Sequence, residues 1–300
     1  MKRIWIEMAS FKQIKDTQTV ETKYSGRVIV YLESQEDFHI FQERWFYDEG
    51  EFLEFHSTDQ GAGGGCSNVI KQVEIDRKNG IIAFGIVDRD AVMKHNLWDI
   101  FWETDDSKYK DAKPFGDHVR QLCRWEVENY LLDPEELENM LADVGKDAPR
   151  KKRPVEFMIK ELLNHCNILI PIMAINVLLH KNGKPALTIK FGSDCLTGEN
   201  MQQTIKSQIY NSFPDKPDEI KNEFNEYIRL FESFGENYQT DSAEYWDRLN
   251  RMIDGKRIFD RLGHQNKLRA DYRFYLARRI REKKQIDQEI IDLIDYFKEK

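Results

Sequence analysis

Three acidic residues stand directly after apolar segments that have the composition of buried strands. Glu33 follows the run Arg27–Leu32, and both Asp88 and Asp90 follow the run Ile81–Val87. In open α/β folds, ligands bind outside the carboxyl ends of neighbouring parallel strands. Since residues two apart in an extended chain project to the same side, we expect Asp88 and Asp90 to face one point near Glu33.

Carboxylates clustered in this way predict a site for a hard divalent cation. Neighbouring carboxylates repel one another unless a cation neutralises part of their charge. Oxygen ligands favour Mg²⁺ or Mn²⁺ over zinc, and these metals support phosphoryl transfer by orienting water and stabilising charge on a phosphate. The alternative is that all three residues are ordinary loop formers and helix caps, which are often acidic.

The elements that must position these carboxylates predict an α/β fold. Apolar, β-branched runs at 27–32, 52–56 and 81–87 alternate with helical patterns such as 34–48, as in parallel βαβ units. After Trp125 the pattern is helical, with an apolar stretch at 157–179 and one long helical pattern over 258–282. We therefore expect an α/β domain over residues 1–135, with a mainly α-helical domain over residues 136–300 packed on it.

Composition favours a soluble, cytoplasmic protein. The 300 residues are 40% hydrophobic and 33% charged, which is enough apolar material for a sizeable core. The net charge of −8 excludes a uniformly basic nucleic-acid binder, although it allows a local basic face. Four widely spaced cysteines fit a reducing compartment, and no apolar stretch predicts a signal peptide or a membrane-spanning segment.

Motifs around the acidic residues resemble a known family. Glu33 with Asp37 four residues later, a glycine-rich turn, and the triplet D-R-D at 88–90 after a strand look like the Toprim domain of topoisomerases, bacterial primases and OLD-type nucleases. The segment R-W-E-V-E-N-Y-L at 124–131 is similar to the signature of the Toprim-like DUF4435 family, which is related to the OLD nucleases. The pair Gly255-Lys256 resembles the G-K segment near the C-terminal end of its members.

The resemblance implies a fold, an activity and a set of residue roles. It implies a Toprim-like, mostly parallel sheet flanked by helices, and a Mg²⁺-dependent (or Mn²⁺-dependent) endonuclease. Glu33 would be the catalytic acidic residue at the end of the first strand, with Asp88 and Asp90 as catalytic metal ligands. The other implied site residues are Asp37, Glu126 and Glu128 as further metal ligands, and Lys256 as the lysine that stabilises the transition-state phosphate.

The residues themselves leave some of these roles open. In a helix, residues two apart do not share a face, so only an extended or irregular backbone brings both Glu126 and Glu128 to one site. Without the family pattern, that pair is ordinary for a solvent-facing first helical turn, and Lys256 is ordinary for a solvated surface. Ser34 also departs from the family, because many Toprim proteins have glycine after the catalytic glutamate.

A basic segment near the C-terminus predicts a surface that binds nucleic acid or an acidic partner. Residues 256–284 contain eleven lysines and arginines against three acidic residues, with aromatic residues between them. Basic side chains follow a phosphate backbone, and aromatic rings stack on exposed bases. The alternative for the aromatic residues is a helix face packed into the core. The predicted nucleic-acid-binding residues are Arg269, Arg273, Arg278 and Arg279.

The biological setting and an ATPase partner are implied by the resemblance alone. A stand-alone chain of this layout resembles the Toprim effectors of the PARIS anti-phage defence systems, which implies a toxic nuclease that acts on RNA such as host tRNA. It also implies control by a separate ABC-type ATPase, since this chain has no ATPase motif. The apolar helical half would suit a homodimer. The alternative functions are a catalytically silent Toprim module that binds a partner or acts as a scaffold, and nucleotidyl transfer as in primases.

Overall fold

The computed structural model of the chain has an α/β fold, which confirms the predicted fold class. It describes residues 26–59, 65–188, 190–192, 198–268 and 271–300, and in these ranges it contains four strands and thirteen α-helices. The strands are β1 (Val28–Leu32), β2 (Leu53–Ser57), β3 (Ala83–Val87) and β4 (Val119–Gln121). The helices are α1 (Gln35–Ile40), α2 (Cys66–Lys78), α3 (Asp90–Lys94), α4 (Trp98–Phe101), α5 (Asp106–Ala112), α6 (Pro134–Val144), α7 (Val155–Lys181), α8 (Gly198–Ser212), α9 (Pro217–Ser233), α10 (Ala243–Leu249), α11 (Gly255–Asn266), α12 (Arg273–Glu282) and α13 (Gln288–Lys298).

All four strands run parallel in the order β2-β1-β3-β4. Tyr31 of β1 pairs with Gly85 of β3, so these neighbouring strands end at the same edge of the sheet. The segments that follow β1 and β3 therefore leave the sheet side by side. β4 was not predicted, because its three residues are too few to produce an apolar pattern.

Helix α2 packs directly on β3 because Gly85 has no side chain. A Cβ at Gly85 would lie 2.5 Å from Cγ1 of Val69 and 3.2 Å from Cγ2 of Val73, both on α2. An alanine there would push the helix away from the strand. This close packing fixes the N-terminal end of α2 next to the carboxyl end of the sheet.

Two predicted helices are interrupted in the structure. The helix predicted over 34–48 is α1 followed by a π-helical turn at Phe41–Trp45, which lets the indole of Trp45 donate to the carbonyl of Ala277 at 3.1 Å. The single helix predicted over 258–282 is wrong, since α11 ends at Asn266 and α12 begins at Arg273. Lys267 caps α11 in the left-handed conformation, with φ of 53°, and nothing in the apolar pattern marks that break.

The hydrophobic cores join both halves of the chain. Helix α7 is the centre of the larger core, which also includes Val92 and Phe101 from the first half. The C-terminal helix α13 returns to the sheet, where the ring of Phe297 stacks on that of Phe84 at a centroid distance of 4.5 Å. Both contacts cross the predicted boundary at residues 135 and 136.

Helix α7 is long and apolar enough to span a membrane by length and composition alone. However, 72% of its most apolar window is buried inside the protein. Such burial is typical of the core helix of a soluble protein, which is how α7 packs here.

Candidate metal centre

Glu33, Asp88 and Asp90 meet at the edge of the sheet where β1 and β3 end. One carboxylate oxygen from each residue lies within 4.8 Å of the others. The backbone N–H of Asp88 donates to Oε1 of Glu33 at 2.9 Å, which ties the residue after β3 to the residue after β1. The predicted convergence is confirmed, and the spacing allows one metal ion to contact all three carboxylates, which we call the acidic triad.

The backbone of the D-R-D segment differs from the extended chain that we expected. Arg89 has helical dihedral angles, with φ of −60° and ψ of −33°, and α3 begins at Asp90. The N–H of Ala91 donates to the carbonyl of Asp88 at 3.1 Å. The two aspartates therefore converge through the first turn of a helix, and strand alternation was the wrong reason for a correct placement.

Arg89 anchors this turn from inside the protein. Its side chain is almost fully buried and donates to the carbonyls of Cys123, Phe101 and Glu103 at 2.8 to 2.9 Å. Its guanidinium also lies 4.1 Å from the centroid of the Tyr109 ring. The D-R-D pattern alone does not reveal this role. Its one usable signal is the position of the arginine between two predicted metal ligands, where it would either bind substrate or anchor the turn.

The electrostatics of the acidic triad favour a bound cation. Burial and the neighbouring Asp90 raise the pKa of Glu33 to about 7, and burial with the Glu33 carboxylate raises the pKa of Asp88 well above its usual range. Lys94 donates to Asp90 at 2.9 Å. Partial desolvation opposes the shift, yet Asp90 and Glu33 raise the pKa of Lys94 above its usual range. The ammonium of Lys94 pairs with only one of the three carboxylates, so the acidic triad still lacks positive charge. An all-oxygen set of this kind fits a hard divalent metal.

Asp37 lies beside the acidic triad and is held by Ser34. The two residues form a capping box on α1, in which Oδ2 of Asp37 accepts from the N–H of Ser34 and Oγ of Ser34 accepts from the N–H of Asp37, both at 3.0 Å. Burial raises the pKa of Asp37 to about 6. The serine that departs from the family pattern therefore has a local role, which is to begin α1 and orient Asp37.

Glu126 and Glu128 point to the same side, where both contact Lys256. Glu126 is extended, with φ of −155°, and caps a 3₁₀ turn at Val127–Leu131 that contains Glu128. Oε2 of Glu126 lies 3.0 Å and Oε1 of Glu128 lies 3.4 Å from Nζ of Lys256. The irregular backbone that their shared placement required is present. Among the described residues, these glutamates do not join the acidic triad in its metal-spaced group.

This second group, which we call the lysine cluster (Glu126, Glu128 and Lys256), is continuous with the acidic triad. Lys256 is charged across the neutral range, because Glu126 and Glu128 raise its pKa although partial burial opposes them, and Asp88 and Asp37 add to that shift. Burial and Glu126 raise the pKa of Glu128 to about 8, and its Oε2 is buried without a hydrogen-bond partner in the described structure. Four acids, Glu126, Glu128, Asp88 and Asp37, are thus electrostatically linked through this lysine.

Asn129 holds the lysine cluster together across a long sequence separation. Its Oδ1 accepts from the N–H of Glu126 at 3.1 Å, and its Nδ2 donates to the carbonyls of Asn250 and Ile253, each at 2.8 Å. These bonds bring the segment before α11 against the E-x-E-N motif. The E-x-E-N motif contains Asn129, but the motif alone does not indicate this role.

Gly255→Ala should destabilise the protein, because Gly255 packs against Asn129. A Cβ at Gly255 would lie 2.8 Å from Oδ1 and 3.0 Å from the backbone N of Asn129, which is fixed by its hydrogen bonds. We expect a loss of about 1–3 kcal/mol in the free energy of unfolding. Gly263→Ala in the same helix is the matched control, since its Cβ would meet open space, and we expect it to stabilise by about 0.5–1 kcal/mol. Equal effects in urea denaturation would contradict this account.

The predicted nucleic-acid-binding arginines differ in their exposure and in the ion pairs that they form inside the protein. Arg273 is largely buried, and its Nη1 lies 2.8 Å from Oε1 of Glu128 and 3.0 Å from Oε2 of Glu36. Arg279 pairs with the buried Glu136, whereas Arg278 is exposed and pairs with Glu282. Arg269 lies outside the described residues. Arg273 therefore belongs structurally to the lysine cluster.

The chain's site thus combines three converging carboxylates with an adjacent protonated lysine held by two glutamates. Comparisons of the chain with protein-family models, with curated proteins and with solved structures found no match. A proposal for its function rests on the geometry of these side chains together with the motifs in the sequence.

Proposed function

We propose that the protein is a metal-dependent Toprim nuclease that cleaves phosphodiester bonds in nucleic acid. The observation that carries this proposal is the convergence of Glu33, Asp88 and Asp90 within 4.8 Å at the carboxyl edge of a parallel sheet. Lys256 supports it, since a charged lysine beside a metal-binding cluster suits a reaction that develops negative charge on a phosphate.

The metal in this proposal is Mg²⁺ or Mn²⁺. The acidic triad offers only carboxylate oxygens, which are hard ligands, and neither histidine nor cysteine is among its members. Glu33, Asp88 and Asp90 would hold the ion, with Asp37 behind them. When bound, the metal would supply the Lewis acidity that orients water and stabilises phosphate charge.

The residues of this chain have separate tasks in the proposed reaction. Glu126 and Glu128 fix the ammonium of Lys256 at one place, so that it meets a phosphate oxygen with little loss of side-chain freedom. Arg273, held against Glu128, adds a second positive charge on the same side. Glu33 and Asp37 are buried, where the local dielectric is lower than in water. The lower dielectric strengthens interactions between charges at the site.

The biological setting of the proposal comes from the motifs. The D-R-D segment resembles the Toprim domain, and the E-x-E-N-Y-L and G-K segments resemble the DUF4435 family. The length and layout of the chain resemble AriB, the Toprim effector of the PARIS systems, which supports a toxic nuclease that favours RNA, with host tRNA as a candidate target. By the same resemblance, an ABC-type ATPase resembling AriA would hold the nuclease inactive in the cytoplasm. The apolar helical half would suit a homodimer.

Toxicity on expression tests the proposal directly. Induced expression of the wild-type chain in bacteria should arrest growth, and Glu33→Gln should relieve the arrest because it removes a metal-binding carboxylate without changing its size. Glu74→Gln is the matched control, since Glu74 is largely exposed on α2 and, within the described part of the chain, forms an ion pair with Lys78 alone. RNA sequencing should show new ends with the wild type and with Glu74→Gln.

The silent-module alternative makes the opposite forecast. A partner-binding or scaffolding subunit would give the same phenotype in all three proteins, with no new RNA or DNA ends. Identical growth and intact nucleic acid in the wild type and in Glu33→Gln, at equal expression, would reject the nuclease.

A further inference from the structure

A cleft of about 790 Å³ opens next to the lysine cluster, and the proposed reaction does not yet use it. It lies between α11, the start of α12 and the side of α6, and Lys256 and Arg273 form part of its wall. Because the same two side chains contact Glu128, the cleft and the lysine cluster share a wall. Whatever fills the cleft is therefore held within reach of the ammonium of Lys256.

The lining of the cleft is apolar at its floor and carries charges of both signs at its wall. Met140 and Leu262 are buried at the floor, and Phe259 packs against both hydrophobic cores, so its ring is fixed. Tyr272, which is partly buried, adds a second ring and has an edge contact with Tyr275 at 6.4 Å between centroids. The basic residues of the lining are Lys256, His264, Lys267 and Arg273, and its acidic residues are Glu36, Asp260 and Asp271.

This combination of chemistry and size fits one unstacked nucleotide. Aromatic and aliphatic side chains accept the face of a base, and the ammonium of Lys256 at the wall accepts its phosphate. The volume lies in the range of sites for small molecules. A base that remains paired in a duplex cannot enter such a cleft without leaving its stack, which costs free energy.

We propose that this cleft binds the base of one unpaired nucleotide of the substrate, with the adjoining phosphate at Lys256, so that the enzyme selects unpaired segments over duplex. The proposal rests on the proposed nuclease function, because it is this function that makes nucleic acid the occupant. It adds a binding subsite and a preference for strand structure, neither of which follows from the acidic triad.

Gly263 provides a way to fill the cleft. It lines the cleft on α11, and a Cβ there would meet nothing within 4 Å. Gly263→Trp should therefore place a ring in the cleft without displacing the helix. Gly50→Trp is the matched control, because Gly50 is exposed, also has open space at its Cβ position, and is absent from the lining of the cleft.

Binding of a short fluorescein-labelled oligoadenylate, alone and annealed to its complement, tests this proposal. The measurement uses proteins that also carry Glu33→Gln, so that the probe is not cut. We expect Gly263→Trp to weaken binding of the unpaired probe about 10- to 100-fold relative to Gly50→Trp, with duplex binding equally weak in both. Tyr272→Ala, which removes one ring of the lining, should weaken the same binding and replaces Gly263→Trp if that variant fails to unfold cooperatively.

The outcomes separate this proposal from the nuclease assignment. If the wild type cleaves with Mg²⁺ but Gly263→Trp or Tyr272→Ala binds the unpaired probe as well as Gly50→Trp does, the cleft is not the subsite and the nuclease stands. If no protein cleaves, the nuclease fails, and a loss of binding confined to the cleft variants still supports the subsite.

Discussion

Asp88→Asn should abolish metal-dependent cleavage and, at the same time, make the metal-free protein more stable. The substitution keeps the size of the side chain and the N–H that donates to Glu33, but it removes one of the charges that a metal needs. We expect cleavage to fall at least about 1,000-fold, as when a preorganised electrostatic group at a reacting phosphate is lost. The measurement is the initial rate on an unpaired RNA with saturating Mg²⁺.

The gain in stability follows from the direction of the pKa shift. Burial and the Glu33 carboxylate raise the pKa of Asp88 well above its usual 3.8, so the folded state binds this proton more tightly than the unfolded chain does. Stability from this group is complete below the unfolded pKa and is lost as the pH rises through the folded pKa. At neutral pH without metal, the ionised carboxylate therefore opposes folding, and Asp88→Asn should recover about 1–3 kcal/mol.

Urea denaturation in EDTA and in Mg²⁺ separates the two effects. In EDTA, Asp88→Asn should be more stable than wild type at pH 7 and nearly equal to it at pH 4. Mg²⁺ should then stabilise the wild type in proportion to its binding and leave the variant nearly unchanged. Asp99→Asn, at an exposed position on α4, is the control for the amide itself. A wild-type protein that is insensitive to Mg²⁺ would contradict the metal site.

The acidic triad was predictable because its causes are local. Each of its residues follows an apolar run, and parallel strands end together, so the sequence alone places Glu33 near Asp88. The lysine cluster is different, because Lys256 reaches Glu126 across 130 residues. Periodicity says nothing about such a pairing, and only the resemblance to a family suggested it.

Details of backbone geometry were the hardest to predict. The π turn at Phe41–Trp45 places the indole of Trp45 so that it donates a hydrogen bond to the carbonyl of Ala277, 232 residues away. The break between α11 and α12 depends on the left-handed Lys267. The first feature comes with a tertiary contact that overrides the local helical pattern, and the second is a local backbone turn that the apolar pattern does not mark.

Arg89→Met should cause the largest loss of stability of any single substitution proposed for this chain. Methionine is shorter than arginine and cannot donate to the carbonyls of Cys123, Phe101 and Glu103; the bonds to the first two are buried and the third is partly buried. An unsatisfied buried carbonyl costs about 1–3 kcal/mol, and the loss of these three hydrogen bonds exceeds the compensation from an apolar side chain. We expect a loss of about 4 kcal/mol or more.

The same substitution shows how the fold positions the site. Arg89 sits between two members of the acidic triad, so the fraction of Arg89→Met that remains folded should also bind Mg²⁺ more weakly, as measured by the metal-dependent shift in the urea midpoint. Arg278→Met is the matched control, since Arg278 is exposed and should change stability by no more than about 0.5 kcal/mol. Equal stability of the two variants would show that Arg89 does not anchor the turn. A large loss of both stability and Mg²⁺ binding in Arg89→Met would show that the core of the protein and its metal centre depend on one buried guanidinium.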